Sequence, residues 1–188
     1  MIRQRVYNAS GIILKRRNFG EADKIITVFT LDYGKLRLVA KGVRKLISRR
    51  SGHLEPFRNV KLTIHAGKNM DLITEAVSEE ATGNGDDLNS IGLAYFVCEL
   101  VDRLMPDGEK HPDIYHLLKE SLNYISQNSE LHKCLVFSDV FANKLLKALG
   151  YLRYDRVLGH DEIVPYVENI IERPLKSPKI INRIKLDN

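Results

Sequence analysis

The hydrophobic period of this chain changes once, and the change divides it. Up to about residue 80 the apolar side chains alternate in short runs; from Asn89 onward they recur every three to four residues. A period of two belongs to strands with one buried face, and a period near 3.6 to helices with one buried stripe. The chain therefore reads as a sheet or barrel followed by a helical bundle.

Five strands are predicted in the first part: Val6–Arg17, Lys24–Leu31, Lys35–Ala40, Phe57–Ala66 and Met70–Val77. Asn18-Phe19-Gly20 and Asp32-Tyr33-Gly34 supply the first two turns. Lys35–Ala40 alternates strictly, with Leu36 and Leu38 on one face and Lys35, Arg37 and Val39 on the other. Gly42 breaks that strand, and Val43–Arg50 leads into a loop or short helix. Five short strands with a longer link between the third and fourth fit a small closed barrel, for which the OB-fold is the candidate. The expected class is α+β with two domains: a nucleic-acid-binding OB barrel over 1–80, a linker over 81–87 containing Thr-Gly-Asn-Gly-Asp-Asp, and an all-α domain over 88–188.

In the helical part, Ile91, Ala94/Tyr95, Cys98, Val101 and Leu104/Met105 make one stripe, ended by Pro106-Asp107-Gly108. Asp113–Ser126 and Leu131–Leu149 are the next helices, with Gly150 closing the latter. Glu162–Ile171 is a fourth, with a kink expected near Pro165. The tail beyond Pro174 is basic and carries Ile180, Ile181 and Ile184.

Charge is distributed unevenly. Residues 1–70 hold 16 Lys and Arg against 4 Asp and Glu, a net +12, while 71–188 hold 13 against 20, a net −7. The densest stretch, Lys35–Arg50, has seven cations (Lys35, Arg37, Lys41, Arg44, Lys45, Arg49 and Arg50) and no acid. Such a run repels itself, so an external polyanion is expected to neutralise it. Nucleic acid fits better than a membrane surface, because no amphipathic apolar face or lipidation motif lies alongside. Phe19, Tyr33 and Phe57 are candidate rings for base stacking, whereas Phe29 reads as core.

Motifs for covalent chemistry are missing from the sequence: no GxSxG, HExxH or P-loop occurs, and the six histidines are not at metal-ligand spacing. His160-Asp161-Glu162 reads as a solvated loop cluster. No catalytic residue, metal or cofactor is expected. Cys98 and Cys134 sit in apolar contexts and read as buried free thiols, which makes a reducing, cytoplasmic setting the default. The longest apolar run, Ile91–Cys98, is far too short to cross a membrane.

A further pattern is the ordered series Ile12-Ile13-Leu14, Phe19-Gly20-Glu21-x-Asp23-Lys24-Ile25, Val28-Phe29-Thr30, Gly34, Ala40-Lys41-Gly42-Val43-Arg44-Lys45, Ser48-Arg49, Leu54-Glu55-Pro56-Phe57 and Leu72-Ile73-Thr74-Glu75-Ala76. It continues through Ala94-Tyr95, Glu99-Leu100, Arg103-Leu104, Leu145-Leu146 and Leu149-Gly150-Tyr151. This series resembles the bacterial RecO family of DNA repair and recombination mediators over roughly residues 6–151. The resemblance implies an OB-fold, a helical domain, binding of single- and double-stranded DNA, and strand annealing. It also implies the partner RecR, the acidic tail of single-strand-binding protein, and indirectly the RecA recombinase, at the bacterial nucleoid. DNA binding then maps onto the seven cations of 35–50. The tail site is placed on the third helix at Phe141, Lys144, Leu145 and Lys147, where cations flank apolar side chains. Many relatives carry a four-cysteine zinc cluster after the Leu-Gly-Tyr segment; here Leu152–Pro165 contains no cysteine, so no zinc is expected. The alternative reading is a general single-stranded nucleic-acid (RNA) binding OB module. A nuclease is disfavoured because residues 1–70 offer only Glu21, Asp23, Asp32 and Glu55 as metal-binding carboxylates.

Overall fold

Five strands close on themselves in the order β1-β2-β3-β5-β4. They are β1 (Val6–Phe19), β2 (Asp23–Thr30), β3 (Gly34–Ala40), β4 (Asn59–His65) and β5 (Leu72–Ser78). All neighbours are antiparallel except β3 and β5, which pair in parallel at Val39 and Leu72. This is an OB-type barrel. The computed structural model describes residues 5–45, 48, 50–79 and 88–178. The linker read at 81–87, Arg49, and the tail positions Ile180, Ile181 and Ile184 lie outside the described residues.

Closure depends on β1, the longest strand. Its first half, Val6–Ile12, pairs with β4, and Gly11–Phe19 pairs with β2. Within the pairing with β2 the register slips by one residue at Leu14, between Ile13 and Lys15, just past the end of the pairing with β4. An extra residue bends a strand and raises its twist, which lets one strand serve two neighbours around a small barrel. The alternation read from the sequence sets what points inward. Ile13, Ile26, Val28, Leu38, Val60, Leu62, Ile64 and Ile73 fill the interior, with Val43 and Leu54 from the β3–β4 connection packed against them. Each such side chain removed from water contributes about 1.5–3 kcal/mol.

The chain forms two compact units. One takes in Met1–Thr82 together with Met105–Tyr115; the other takes in Gly83–Leu104 and His116–Asn188. Residues 105–115, read from the sequence as part of the helical region, thus go with the barrel. The backbone N–H of Gly108 donates to the Lys35 carbonyl at 3.0 Å, and Tyr115 donates its hydroxyl proton to Asn59 Oδ1 at 2.9 Å.

The helices are α1 (Leu88–Leu104), α2 (Pro112–Gln127), α3 (Leu131–Ala148) and α4 (His160–Ile171). In the second unit α1 buries Leu93, Val97, Leu100 and Val101, and α3 buries Phe141, Ala142, Leu145 and Leu146. Both cysteines are free and buried. Burial pushes the Cys98 thiol far above its ordinary value, with Asp102 adding to the effect. The expectation of a loop at His160-Asp161-Glu162 is corrected: these residues form the first turn of α4. The N–H of Gly159 donates to Glu162 Oε2 at 2.8 Å, and the acids sit where the helix dipole favours negative charge. The chain remains helical through Pro165. No described helix is long and apolar enough to cross a membrane.

Candidate nucleic-acid interface

The β3 strand and the connection after it carry the predicted cations, but the fold uses them in three different ways. Lys35 has the expected outward parity, yet its side chain is only 5% exposed. The segment 105–115 lies over it, and its ammonium is 3.3 Å from Asp107 Oδ1. Lys35 as an exposed phosphate ligand is therefore corrected. An unpaired buried ammonium is costly, and this one is paired from within the chain. Its strand neighbour Arg37 is 57% exposed and lies 3.2 Å from the other oxygen of the same carboxylate. The external neutralisation expected for the whole run is thus partly internal.

Arg50 serves the backbone. Its Nη1 donates to the Ile73 carbonyl at 2.6 Å, and its Nη2 donates to the Lys41 carbonyl at 2.8 Å. The half-buried guanidinium ties the β3–β4 connection to β5. Lys41, Arg44 and Lys45 remain exposed on the turn after β3. That turn is fixed by the Gly42 N–H donating to Asp23 Oδ1 at 2.7 Å and the Arg44 N–H donating to the Ala22 carbonyl at 2.9 Å. Close by, Arg16 is ion-paired with Glu55. The Lys24 ammonium is held below its ordinary value, first by burial and then by the Arg16 and Arg44 guanidiniums, with Glu55 opposing.

Two further cations belong beside Arg37. A groove of about 430 Å³ runs along the barrel wall, lined by Arg17 of β1, Leu36 and Arg37 of β3, and Lys68, Asn69 and Met70 of the β4–β5 turn. Both lie outside the densest basic run: Arg17 ends the short Lys15-Arg16-Arg17 run of β1, and Lys68 stands alone in the β4–β5 turn. The +12 total of residues 1–70 was the available signal, but only the strand register brings the two together. The turn itself depends on Gly67, where a Cβ would stand 1.9 Å from the Met70 carbonyl oxygen. Asp71 holds the turn's far side, accepting from the Gly67 N–H at 3.1 Å and the Tyr7 hydroxyl at 2.6 Å.

Of the candidate rings, Phe19 is 48% and Tyr33 38% exposed, while Phe57 is half-buried and Phe29 is fully buried. The Tyr33 ring lies 5.0 Å from Tyr7, and Lys110 Nζ stands 6.0 Å from its centre. In the helical unit, the tail site placed on α3 is corrected in its apolar half. Phe141 and Leu145 are fully buried, so neither meets a partner, whereas Lys144 is exposed and Lys147 half-buried. Among the described residues, no three His, Cys, Asp or Glu side chains gather into a metal-holding group.

Barrel order, helical companion and basic wall define a two-part chain of the OB-fold class with a cationic barrel face. Comparison with known proteins makes this more specific. The model described as recombination protein O N terminal matches residues 1–81, and the one described as recombination protein O C terminal matches 85–152. A DNA repair protein RecO of Roseiflexus sp. is 34% identical over 151 residues, which is 80% of this chain and 52% of that protein. Its counterpart in Bifidobacterium adolescentis is 35% identical over 150 residues, 78% of this chain and 60% of that one. A third, from Bifidobacterium longum subsp. infantis, is 38% identical over 127 residues, 66% of this chain and 53% of the relative. The chain belongs to the recombination protein O family. It spans between about half and three-fifths of the length of these relatives.

Proposed function

We propose that this chain acts in DNA repair as a non-enzymatic mediator: it binds single- and double-stranded DNA, anneals complementary strands and helps load a recombinase onto single-stranded DNA. The observation that supports this most directly is the convergence of Arg17, Arg37 and Lys68 in one open groove of an OB barrel, together with the exposed Lys41–Lys45 turn. The relatives' shared name, DNA repair protein RecO, gives the biological setting. Annealing needs no bond-breaking group. Two strands repel through their phosphates, and a cationic surface that neutralises both lowers that repulsion without reading sequence.

In this reading RecR and RecA act with the chain at the bacterial nucleoid, in the cytoplasm. The acidic tail of single-strand-binding protein takes a different place from the α3 face. A cleft in the helical unit sets Arg103, which also lies 3.8 Å from Glu99, and Arg173 beside Tyr151, Ile170, Ile171 and Glu172; its two guanidiniums next to apolar side chains suit an acidic peptide with an apolar end.

The test is fluorescence-detected annealing of two complementary oligonucleotides, with binding anisotropy across a salt series. Acceleration is expected, with log affinity falling against log salt at a slope of about −4 for ~6 single-strand phosphate contacts. Absence of binding overturns the reading. A marked preference for RNA over DNA of the same sequence favours a general RNA-binding OB module instead.

A further inference from the structure

The Asp107 carboxylate bridges two cations of unequal exposure, and this asymmetry has a consequence for binding. Oδ1 lies 3.3 Å from the Nζ of Lys35, whose side chain is 5% exposed; Oδ2 lies 3.2 Å from Nη2 of Arg37, which is 57% exposed. Backbone contacts fix the carboxylate where it is. The Gly108 N–H donates to the Lys35 carbonyl at 3.0 Å, Lys35 and Asp107 form a parallel bridge, and Gly34 lies against the Glu109 backbone. A phosphate approaching Arg37 therefore meets an anion held in place by a lysine that solvent scarcely reaches.

We infer that Asp107 is a built-in competitor for the polyanion: it occupies Arg37 and sets the affinity of the barrel groove below what its cations would otherwise give. This rests on the reading of the groove as a polyanion site. The pair with Lys35 anchors the carboxylate, and the pair with Arg37 is the inhibitory one. Arg17 and Lys68 line the same groove, whose own carboxylate, Asp71, accepts from the Gly67 N–H and the Tyr7 hydroxyl, so these two cations carry the phosphate contacts while Arg37 is engaged. The groove then holds DNA loosely enough to release an annealed duplex, and its affinity is tuned by one acid 70 residues along the chain from Arg37.

The test is anisotropy with a fluorescein-labelled single-stranded oligonucleotide at low and moderate salt, using the full chain and the variants Asp107→Asn, Arg37→Ala and the double variant. Asp107→Asn is expected to bind about 2–5-fold tighter at low salt, with a salt slope steeper by about 0.7 from one more phosphate contact. In the Arg37→Ala background the same change is expected to have no effect. Should Asp107→Asn lose its thermal transition, Arg37→Ala alone decides, because it leaves the Lys35–Asp107 pair intact. It is expected to weaken binding by less than about 2-fold, while Arg17→Ala weakens it by about 3-fold or more. A wild type that binds and an Asp107→Asn variant of unchanged affinity overturn the inference and leave the DNA-binding reading standing. A large loss in Arg37→Ala does the same. Failure of every variant to bind overturns both.

Discussion

The buried side-chain amide of Asn143 holds the backbone of Leu158 from both sides. The Leu158 N–H donates to Asn143 Oδ1 at 2.8 Å, and Asn143 Nδ2 donates to the Leu158 carbonyl at 3.0 Å. The connection between α3 and α4 exposes Tyr154 and Val157 almost fully but buries Leu152 and Leu158. It contains no cysteine; its path is held by those two apolar anchors, by the amide clamp, and by the Tyr166 hydroxyl donating to the Tyr151 carbonyl at 2.5 Å. Asn143→Leu leaves both backbone groups of Leu158 without these partners. It is expected to cost about 2–4 kcal/mol, read as a lower denaturant midpoint at constant slope in a helix-monitored unfolding curve. Asn143→Asp keeps the acceptor but sets a carboxylate oxygen against the Leu158 and Asp139 carbonyls in a buried site, so its midpoint should fall at least as far. An unchanged midpoint in the Leu variant refutes the clamp.

Gly34 makes a second close approach. Its φ is +66°, and a Cβ there would stand 2.0 Å from the Glu109 carbonyl oxygen. Both facts require glycine: the left-handed backbone is costly for other residues, and no flexible side chain is available to yield. Gly34→Ala should lift 105–110 away from β3 and cost roughly 2–4 kcal/mol. Hydrogen exchange is the direct check. The Gly108 amide, bonded to the Lys35 carbonyl, should exchange much faster in the variant, while the amides of β4 paired with β1 keep their protection.

These two contacts show where sequence reading succeeds and where it stops. Val60, Leu62 and Ile64 announce a strand with one buried face because the signal is local, and Leu36 and Leu38 do the same for β3. The return of Asp107 to Lys35 and Arg37 leaves no local trace, since it is made by a segment that reads only as the end of a helix. Arg50 and Lys45 look alike in the sequence, but only the path of the connection decides that one caps carbonyls and the other faces water. Arg17 and Lys68 become neighbours through strand register. On α3 the helical period turns Lys147 well away from Phe141 and Leu145 and leaves Lys144 at the edge of their face, so a surface inferred from sequence proximity divides into a core face and a solvent face.

Tyr115 gives the barrel unit an alkaline limit. The ring is 4% exposed, packs 6.4 Å from Phe29, and donates its hydroxyl proton to Asn59. Burial, and then the nearby Glu79 and Asp32 carboxylates, push its pKa from 10.0 up to about 12. The folded state thus favours the neutral phenol. That contribution is complete below the unfolded value near 10 and is lost as the pH rises through the folded value near 12. Alkaline unfolding of the barrel should therefore set in between these two values, and Tyr115→Phe should weaken its pH dependence. At neutral pH the same variant is expected to cost only about 1 kcal/mol, for one hydrogen bond. Phenolate absorbance compared between wild type and variant should show one tyrosine titrating near 12; a difference centred near 10 refutes the assignment.

The cations of the β3–β4 connection should separate by experiment into those that hold the fold and those that meet a polyanion. Arg50 donates to the carbonyls of Ile73 and Lys41 at 2.6 and 2.8 Å, and both bonds are charge-assisted. Arg50→Ala should lower stability by about 1.5–3 kcal/mol, and Arg50→Lys should recover only part of this, because an ammonium cannot span both carbonyls as a planar fork does. The triple change Lys41→Ala/Arg44→Ala/Lys45→Ala removes exposed charge and one long contact, Arg44 Nη1 to the Gly20 carbonyl at 3.2 Å. It should leave the melting temperature nearly unchanged, weaken DNA binding for every sequence alike, and flatten the salt slope by about 2 for three lost phosphate contacts. Melting curves and a salt series on the same four proteins test both halves. If the triple variant binds with wild-type affinity and slope, the turn after β3 is not part of the DNA path, and the groove of Arg17 and Lys68 must carry it alone.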